Sequence, residues 1–151
     1  MTSATGSITS KPSPTREPAR ADGPIVLYDG VCALCNGFVK FILRFDRRRT
    51  LRFAALDGDT GTAARAGDPG LRTVDSIVLL RSAGALTRSA AAIEILREMG
   101  GVWRAAVAGY LIPRPIRDAL YDRVARSRYD RFGRYDACPL PPAEDRWRFL
   151  A

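Results

Sequence analysis

Apolar and polar positions follow two rhythms along this chain. Ile25-Val-Leu-Tyr28 is continuously apolar and too short for a helix, so it predicts a buried strand. From Cys35 the rhythm changes. Cys35, Phe38, Val39, Ile42 and Leu43 recur at i, i+3, i+4, i+7 and i+8, the stripe of a core-facing helix, and Lys40, Arg44 and Arg47 fall mostly off it. Residues 51–56 predict a second strand. A strand, a helix and a second strand in this order predict a right-handed parallel βαβ unit.

Residues 57–70 are rich in Gly and Asp and predict turns, with a short helix near 60–66. Asp57-Gly-Asp59 lacks the later oxygen ligands of a calcium loop and reads as a turn. Residues 76–81 and 85–87 flank Ser82-Ala-Gly84 and predict a hairpin. Residues 89–99 predict a helix with Ile93, Leu96 and Ala92 facing inward, stopped by Gly100-Gly101. The order β-α-β-α-β-β-α is that of a thioredoxin-like α/β core. A helical C-terminal extension follows. Residues 102–111 predict a helix, Pro113 and Pro115 interrupt it, and Ile116, Leu120 and Val124 mark an amphipathic helix to about residue 127. Residues 129–138 predict a loop rich in Arg and aromatic side chains. Residues 1–23 have almost no large apolar side chains and predict a disordered tail without the apolar stretch of a secretory signal, an organelle transit peptide being the alternative for a Ser/Thr-rich segment with few acids, which leaves 24–151 as one domain.

Composition narrows the chemistry. The chain has no histidine, which excludes Ser-His-Asp and Cys-His catalysis and any His-ligated metal site. The net charge is +8, and all 24 basic residues except Lys11 and Lys40 are arginine, which describes a solvated surface more readily than a binding site. Three cysteines, Cys32, Cys35 and Cys138, are too few for a secreted disulfide framework and suit a reducing, cytoplasmic setting. No apolar stretch is long enough to span a bilayer.

The candidate chemistry lies in Asp29-Gly-Val-Cys32-Ala-Leu-Cys35-Asn36. Two cysteines at i and i+3 on the first turn of a helix come within disulfide range. Cys32 falls at the helix N-terminus, where free N–H groups favour a thiolate, and Cys35 begins the apolar stripe and should be less exposed. Cys32 is therefore expected to attack a substrate disulfide and Cys35 to resolve the mixed disulfide. Asp29 would repel a Cys32 thiolate. Its useful role is to accept the Cys35 proton, with a turn-forming Asp as the alternative. Two other functions compete. Arg126 to Arg134, interleaved with Tyr129 and Phe132, could stack nucleic acid or meet an acidic partner. Cys32, Cys35, Cys138 and Asp136 could build a structural zinc site.

Tyr28-Asp-Gly-Val-Cys-Ala-Leu-Cys-Asn36, followed by Phe41-Ile42, Asp46 and Phe53-Ala-Ala-Leu56, resembles the DCC family of predicted thiol-disulfide oxidoreductases. The family's Asp, Cys, Cys pattern falls on Asp29, Cys32 and Cys35. The likeness continues through Asp75-Ser76, Gly100-Gly-Val-Trp103, Pro113-Arg114, Arg117-Asp118, Arg128-Tyr129, Phe132-Gly133, Cys138 and Arg148-Phe149-Leu150. It implies a thioredoxin-like fold and a disulfide reductase or exchange activity. The dithiol carries the electrons, so no bound cofactor is required. The implied partners are a protein or small-molecule disulfide and an electron donor, with neither nucleic acid nor an integral membrane segment. One departure from thioredoxins proper stands out: the cis-proline expected beside the cysteine pair falls near Val74-Asp75-Ser76, where there is none, so Asp75 or Ser76 could face the dithiol instead. Cys138 reads as a packed thiol rather than a third redox partner.

Overall fold

The computed structural model describes residues 23–151, so the predicted tail lies, but for Gly23, outside the described residues. The elements are β1 (Ile25–Tyr28), α1 (Ala33–Phe45), β2 (Arg52–Ala55), α2 (Asp59–Gly67), β3 (Val78–Arg81), β4 (Gly84–Thr87), α3 (Arg88–Met99), α4 (Arg114–Phe132) and β5 (Phe149–Leu150). Short 3-10 segments cover Pro69–Leu71, Gly101–Leu111 and Ala143–Arg148. The five strands form one sheet in the order β4-β3-β1-β2-β5. β1 pairs parallel with β2 and antiparallel with β3, β3 pairs antiparallel with β4, and β5 adds to β2 in parallel. This is a thioredoxin-like α/β fold with β1 at the centre.

The period-2 geometry of a strand sends alternate side chains to opposite faces, and both faces of β1 are covered. Val26 and Tyr28 join Phe53 and Leu79 under Val39 and Ile42 of α1 and Ala91, Ile95 and Met99 of α3. Leu27 faces the other way, with Ala54 and Val78, against Leu56 and Leu71. A strand buried on both sides has no room for polar positions, which is why β1 reads as one apolar run. The cysteine pair leaves the carboxyl end of this central strand and enters α1 directly.

The predicted βαβ unit, hairpin and helices are present, with three differences. First, α3 turns a different face inward. Ala91, Glu94, Ile95 and Met99 are buried, whereas Ala92, Ile93 and Leu96 are only partly so. Glu94 tolerates burial because Tyr110 donates to it at 2.9 Å and Arg97 and Arg81 lie 3.0 and 3.6 Å away. Second, residues 101–111 are a 3-10 segment rather than an α-helix, entered through Gly100 and Gly101 at φ 75° and 58°, values that glycine adopts readily.

Third, α4 runs past the predicted end to Phe132 and leaves its apolar positions in solvent: Ile116, Leu120 and Val124 are 55%, 58% and 49% exposed. Its inward side is polar. Ser89 donates a short hydrogen bond to Asp118, the Ile77 amide donates to the Tyr121 hydroxyl at 3.3 Å, and Arg128 donates to the Asp75 carbonyl at 3.0 Å. Burial works to raise the Asp118 pKa, but Ser89, Arg114 and Arg117 together hold it below the usual carboxylate value. The helix docks by hydrogen bonds and not by its apolar stripe.

The C-terminus closes the fold through a buried cation. Arg148 is fully buried, donates to the Leu51 carbonyl at 2.8 Å, pairs closely with buried Asp46, and lies over the Phe53 ring. It holds β5 on the sheet edge.

Candidate active site

Cys32 caps α1. The Cys35 amide donates to the Cys32 sulfur at 3.3 Å, so the sulfur takes the place that a Ser or Asp oxygen fills at most helix starts. There it meets the positive end of the helix dipole. Asn36 locks the turn. Its side-chain amide, buried, donates to the carbonyls of Gly30 at 2.7 Å and Cys32 at 3.0 Å. Both cysteines are free thiols.

Asp29 stands beside them in a small polar cluster. One carboxylate oxygen accepts the Val31 amide at 3.0 Å, the Asx turn weighed above. The other accepts a short hydrogen bond from the Tyr129 hydroxyl and lies 3.6 Å from Arg128. Arg128 is buried and also donates to Tyr129 at 3.0 Å, while its guanidinium stacks on the Tyr129 ring, centroid at 4.4 Å. Arg134 stacks on the same ring at 4.7 Å. Burial pushes the Cys35 thiol well above its ordinary value, and the neighbouring Cys32 sulfur adds to this. The Arg128 charge and a backbone hydrogen bond from Asp29 pull the other way. Burial also raises the Tyr129 and Tyr121 hydroxyls.

The exposure of the two cysteines differs from expectation. Cys32 is 0% exposed and Cys35 4%. The reason is a strap formed by residues 133–135, which pairs antiparallel across the motif. Cys32 bridges Arg134, the Ala33 amide donates to Gly133 at 3.2 Å, and the Tyr135 amide donates to Val31 at 2.8 Å. Cys35 instead forms part of the wall of a cavity of about 170 Å³. Leu34, Phe38, Ile77, Tyr121 and Arg128 line it too, and almost all of its surface is apolar. Buried Ser76 reaches the same cavity, as the missing proline suggested it could. The Asp75 carboxylate meets Arg128 at 3.3 Å.

Cys138 lies in a loop, and as a residue it is exposed, whereas a packed thiol is usually buried. Its sulfur lies 3.6 Å from the Tyr28 hydroxyl. A Cβ at Gly30 would stand 2.9 Å from that sulfur, so only glycine lets the loop come this close. Among the described residues no group of three or more Cys, Asp or Glu stands close enough to hold a metal ion. The Arg and aromatic segment is also partly committed. Arg128 and Tyr129 turn inward to Asp29, leaving Phe132 and Arg126 exposed. Sequence reasoning placed Arg128 and Tyr129 in a candidate binding segment and not beside Asp29, where the structure puts them. The signal that tied them to the cysteine motif was their place in the family likeness.

The family model described as DCC1-like thiol-disulfide oxidoreductase matches residues 26–134, and the chain belongs to that family. The uncharacterized protein YuxK of Bacillus subtilis is 38% identical over 128 residues, covering 83% of this chain and 93% of its own. A DCC family protein of Arabidopsis thaliana, named as chloroplastic, is 38% identical over 123 residues, covering 78% of this chain and 69% of its own. No solved structure gives a significant match. No helix among the described residues is long and apolar enough to cross a membrane.

Proposed function

We propose that this protein reduces or exchanges disulfides through Cys32 and Cys35. The observation that carries the reading is the pair of free thiols on the first turn of α1, with the Cys35 amide directed at the Cys32 sulfur. Cys32, at the helix N-terminus, attacks. A bond forms between its sulfur and one substrate sulfur as the substrate disulfide breaks, and the first substrate thiolate leaves and takes up a proton. Cys35, kept as a thiol by burial, then gives its proton to Asp29, directly or through water, and attacks the Cys32 sulfur. The second substrate thiolate leaves and a Cys32–Cys35 disulfide remains. Two electrons have passed to the substrate, and an external thiol donor returns them, so no bound cofactor takes part. Arg128 offsets the negative charge that builds between Asp29 and the sulfurs.

Substrate reaches Cys32 when the 133–135 strap lifts, at the cost of its two main-chain hydrogen bonds. Three cysteines are too few for a secreted disulfide framework, and in our reading the protein works in the cytoplasm. Reduction of hydroxyethyl disulfide by the pre-reduced protein tests the proposal. Cys32→Ser abolishes turnover, Cys35→Ser accumulates a mixed disulfide through Cys32, and Cys138→Ser keeps most of the rate. A folded Cys32→Ser protein that works at the wild-type rate would sink the assignment.

A further inference from the structure

Two apolar features near Cys35 are left without a partner among the described residues, and they are continuous. One is the cavity against Cys35. The other is the exposed stripe of Ile116, Leu120 and Val124 on α4. Val124 belongs to both, since it also lines the cavity, with Ala125 beside it. The stripe therefore runs from open solvent to Cys35, the resolving half of the dithiol.

The dimensions describe an occupant. The cavity, about 170 Å³, compares with the roughly 150 Å³ apolar cavity that holds a benzene ring. It accepts one aromatic or branched side chain. Ile116 to Val124 spans about 12 Å of helix, the length of roughly four residues of extended chain. Charge adds a third constraint. Arg123 and Arg126 border the stripe beside Ile116 and Leu120, and the whole chain carries +8. An acidic partner matches both.

We propose that α4 is the docking surface for a polypeptide substrate, a disulfide-bonded segment with an aromatic residue next to its cysteine and apolar and acidic residues beyond. The ring enters the cavity lined by Leu34, Phe38 and Ile77. The following apolar side chains lie along Val124, Leu120 and Ile116, and the acids meet Arg123 and Arg126. Docking thereby holds the substrate disulfide over the first turn of α1. This inference rests on the disulfide-exchange reading and names its substrate class. The electron balance is that of the exchange itself: the protein dithiol is oxidised to a disulfide and the peptide disulfide is reduced to two thiols.

The test uses pre-reduced protein in single turnover and two peptide disulfides, each a homodimer through an N-terminal cysteine. One peptide continues with Phe, Leu and Glu, the other with Ser and Lys, and hydroxyethyl disulfide is run beside them. The aromatic acidic peptide is expected to react on the order of tenfold faster or more, as burial of one ring warrants. Leu120→Glu and Ile116→Glu, at exposed positions that do not hold the fold together, are expected to remove most of that preference. Equal rates for the two peptides overturn the inference. So does a preference that both α4 variants leave intact, which would assign the cavity to small aromatic disulfides. If anionic phosphatidylglycerol vesicles bind and Leu120→Glu abolishes that binding while no peptide preference exists, the stripe is a lipid-facing surface and the inference is overturned. Reduction of hydroxyethyl disulfide with no reduction of either peptide overturns the docking alone. Failure to reduce any of the three overturns the oxidoreductase reading as well.

Discussion

α1 and α4 each carry apolar residues at helical spacing, a full stripe in α1 and only Ile116, Leu120 and Val124 in a largely polar α4, and the fold uses them in opposite senses. α1 buries its stripe, with Cys35, Val39 and Ile42 under the sheet and Phe38 and Leu43 packed against the edge of the same cluster. α4 exposes its stripe and docks through Asp118, Tyr121 and Arg128, which find Ser89, the Ile77 amide and the Asp75 carbonyl. An apolar stripe marks a face that needs a partner. It does not say whether that partner is the molecule's own core. In α1 the partner is the sheet, and the helix start is thereby held at the end of β1 with its dithiol. In α4 the polar face is satisfied internally, and the apolar face remains available beside the same dithiol.

The sharpest way to break this comparison is to remove the polar anchor of α4. Arg128→Met leaves Asp29 without its cation and the Asp75 carbonyl and Tyr129 hydroxyl without their donor. Breaking a buried charged network by deleting one partner costs about 3–5 kcal/mol, and Lys, lacking the planar fork, restores little of it. Urea denaturation measures this. A loss below about 1 kcal/mol would mean that packing, and not these hydrogen bonds, holds α4.

The next test sets the two stripes against each other. Ile42→Ala opens a cavity in the core and is expected to cost about 2–5 kcal/mol. Leu120→Ala, at the same kind of position on α4, is expected to change stability by less than about 0.5 kcal/mol. Similar losses in thermal or chemical unfolding would show that the α4 stripe is buried in solution.

A smaller effect comes from pH. Cys35 has an ordinary value of 9.0 and burial raises it in the fold. The unfolded thiol ionises as pH passes that value while the folded thiol keeps its proton, so unfolding releases a proton there. The Cys35 contribution to stability is present below about pH 9 and falls as pH rises further, by at most about 1.4 kcal/mol per pH unit. Reduced protein and Cys35→Ala, compared by urea unfolding between pH 7 and pH 10, should show the steeper decline in the reduced wild type. Parallel curves would contradict a buried protonated thiol.

The legible parts of the molecule were those encoded locally. β1, α1, β2 and the hairpin each carry their rhythm within a few residues, and Asp29, Cys32 and Cys35 share one turn, so both the core and the motif could be read directly. The end of α4 was not legible because residues 128–132 are Arg, Tyr, Asp, Arg and Phe, with no apolar period. β5 is two residues long and exists only because it pairs with β2. The inward face of α3 was misjudged because Glu94 is buried through partners at positions 81, 97 and 110. Within the site, Tyr129 meets Asp29 from 100 residues away, a contact that no spacing rule anticipates. The strap over Cys32 is likewise a tertiary pairing, and it reverses the exposure that helix position alone suggested.

The central claim is that Cys32 and Cys35 form a two-electron couple. Redox titration of the purified chain in dithiothreitol buffers, with alkylation and mass spectrometry to map each cysteine, tests it most directly. The account predicts a single reversible transition in which Cys32 and Cys35 pair with each other and Cys138 stays free. A Cys32–Cys35 disulfide that never forms, or a transition that runs through Cys138, would contradict it.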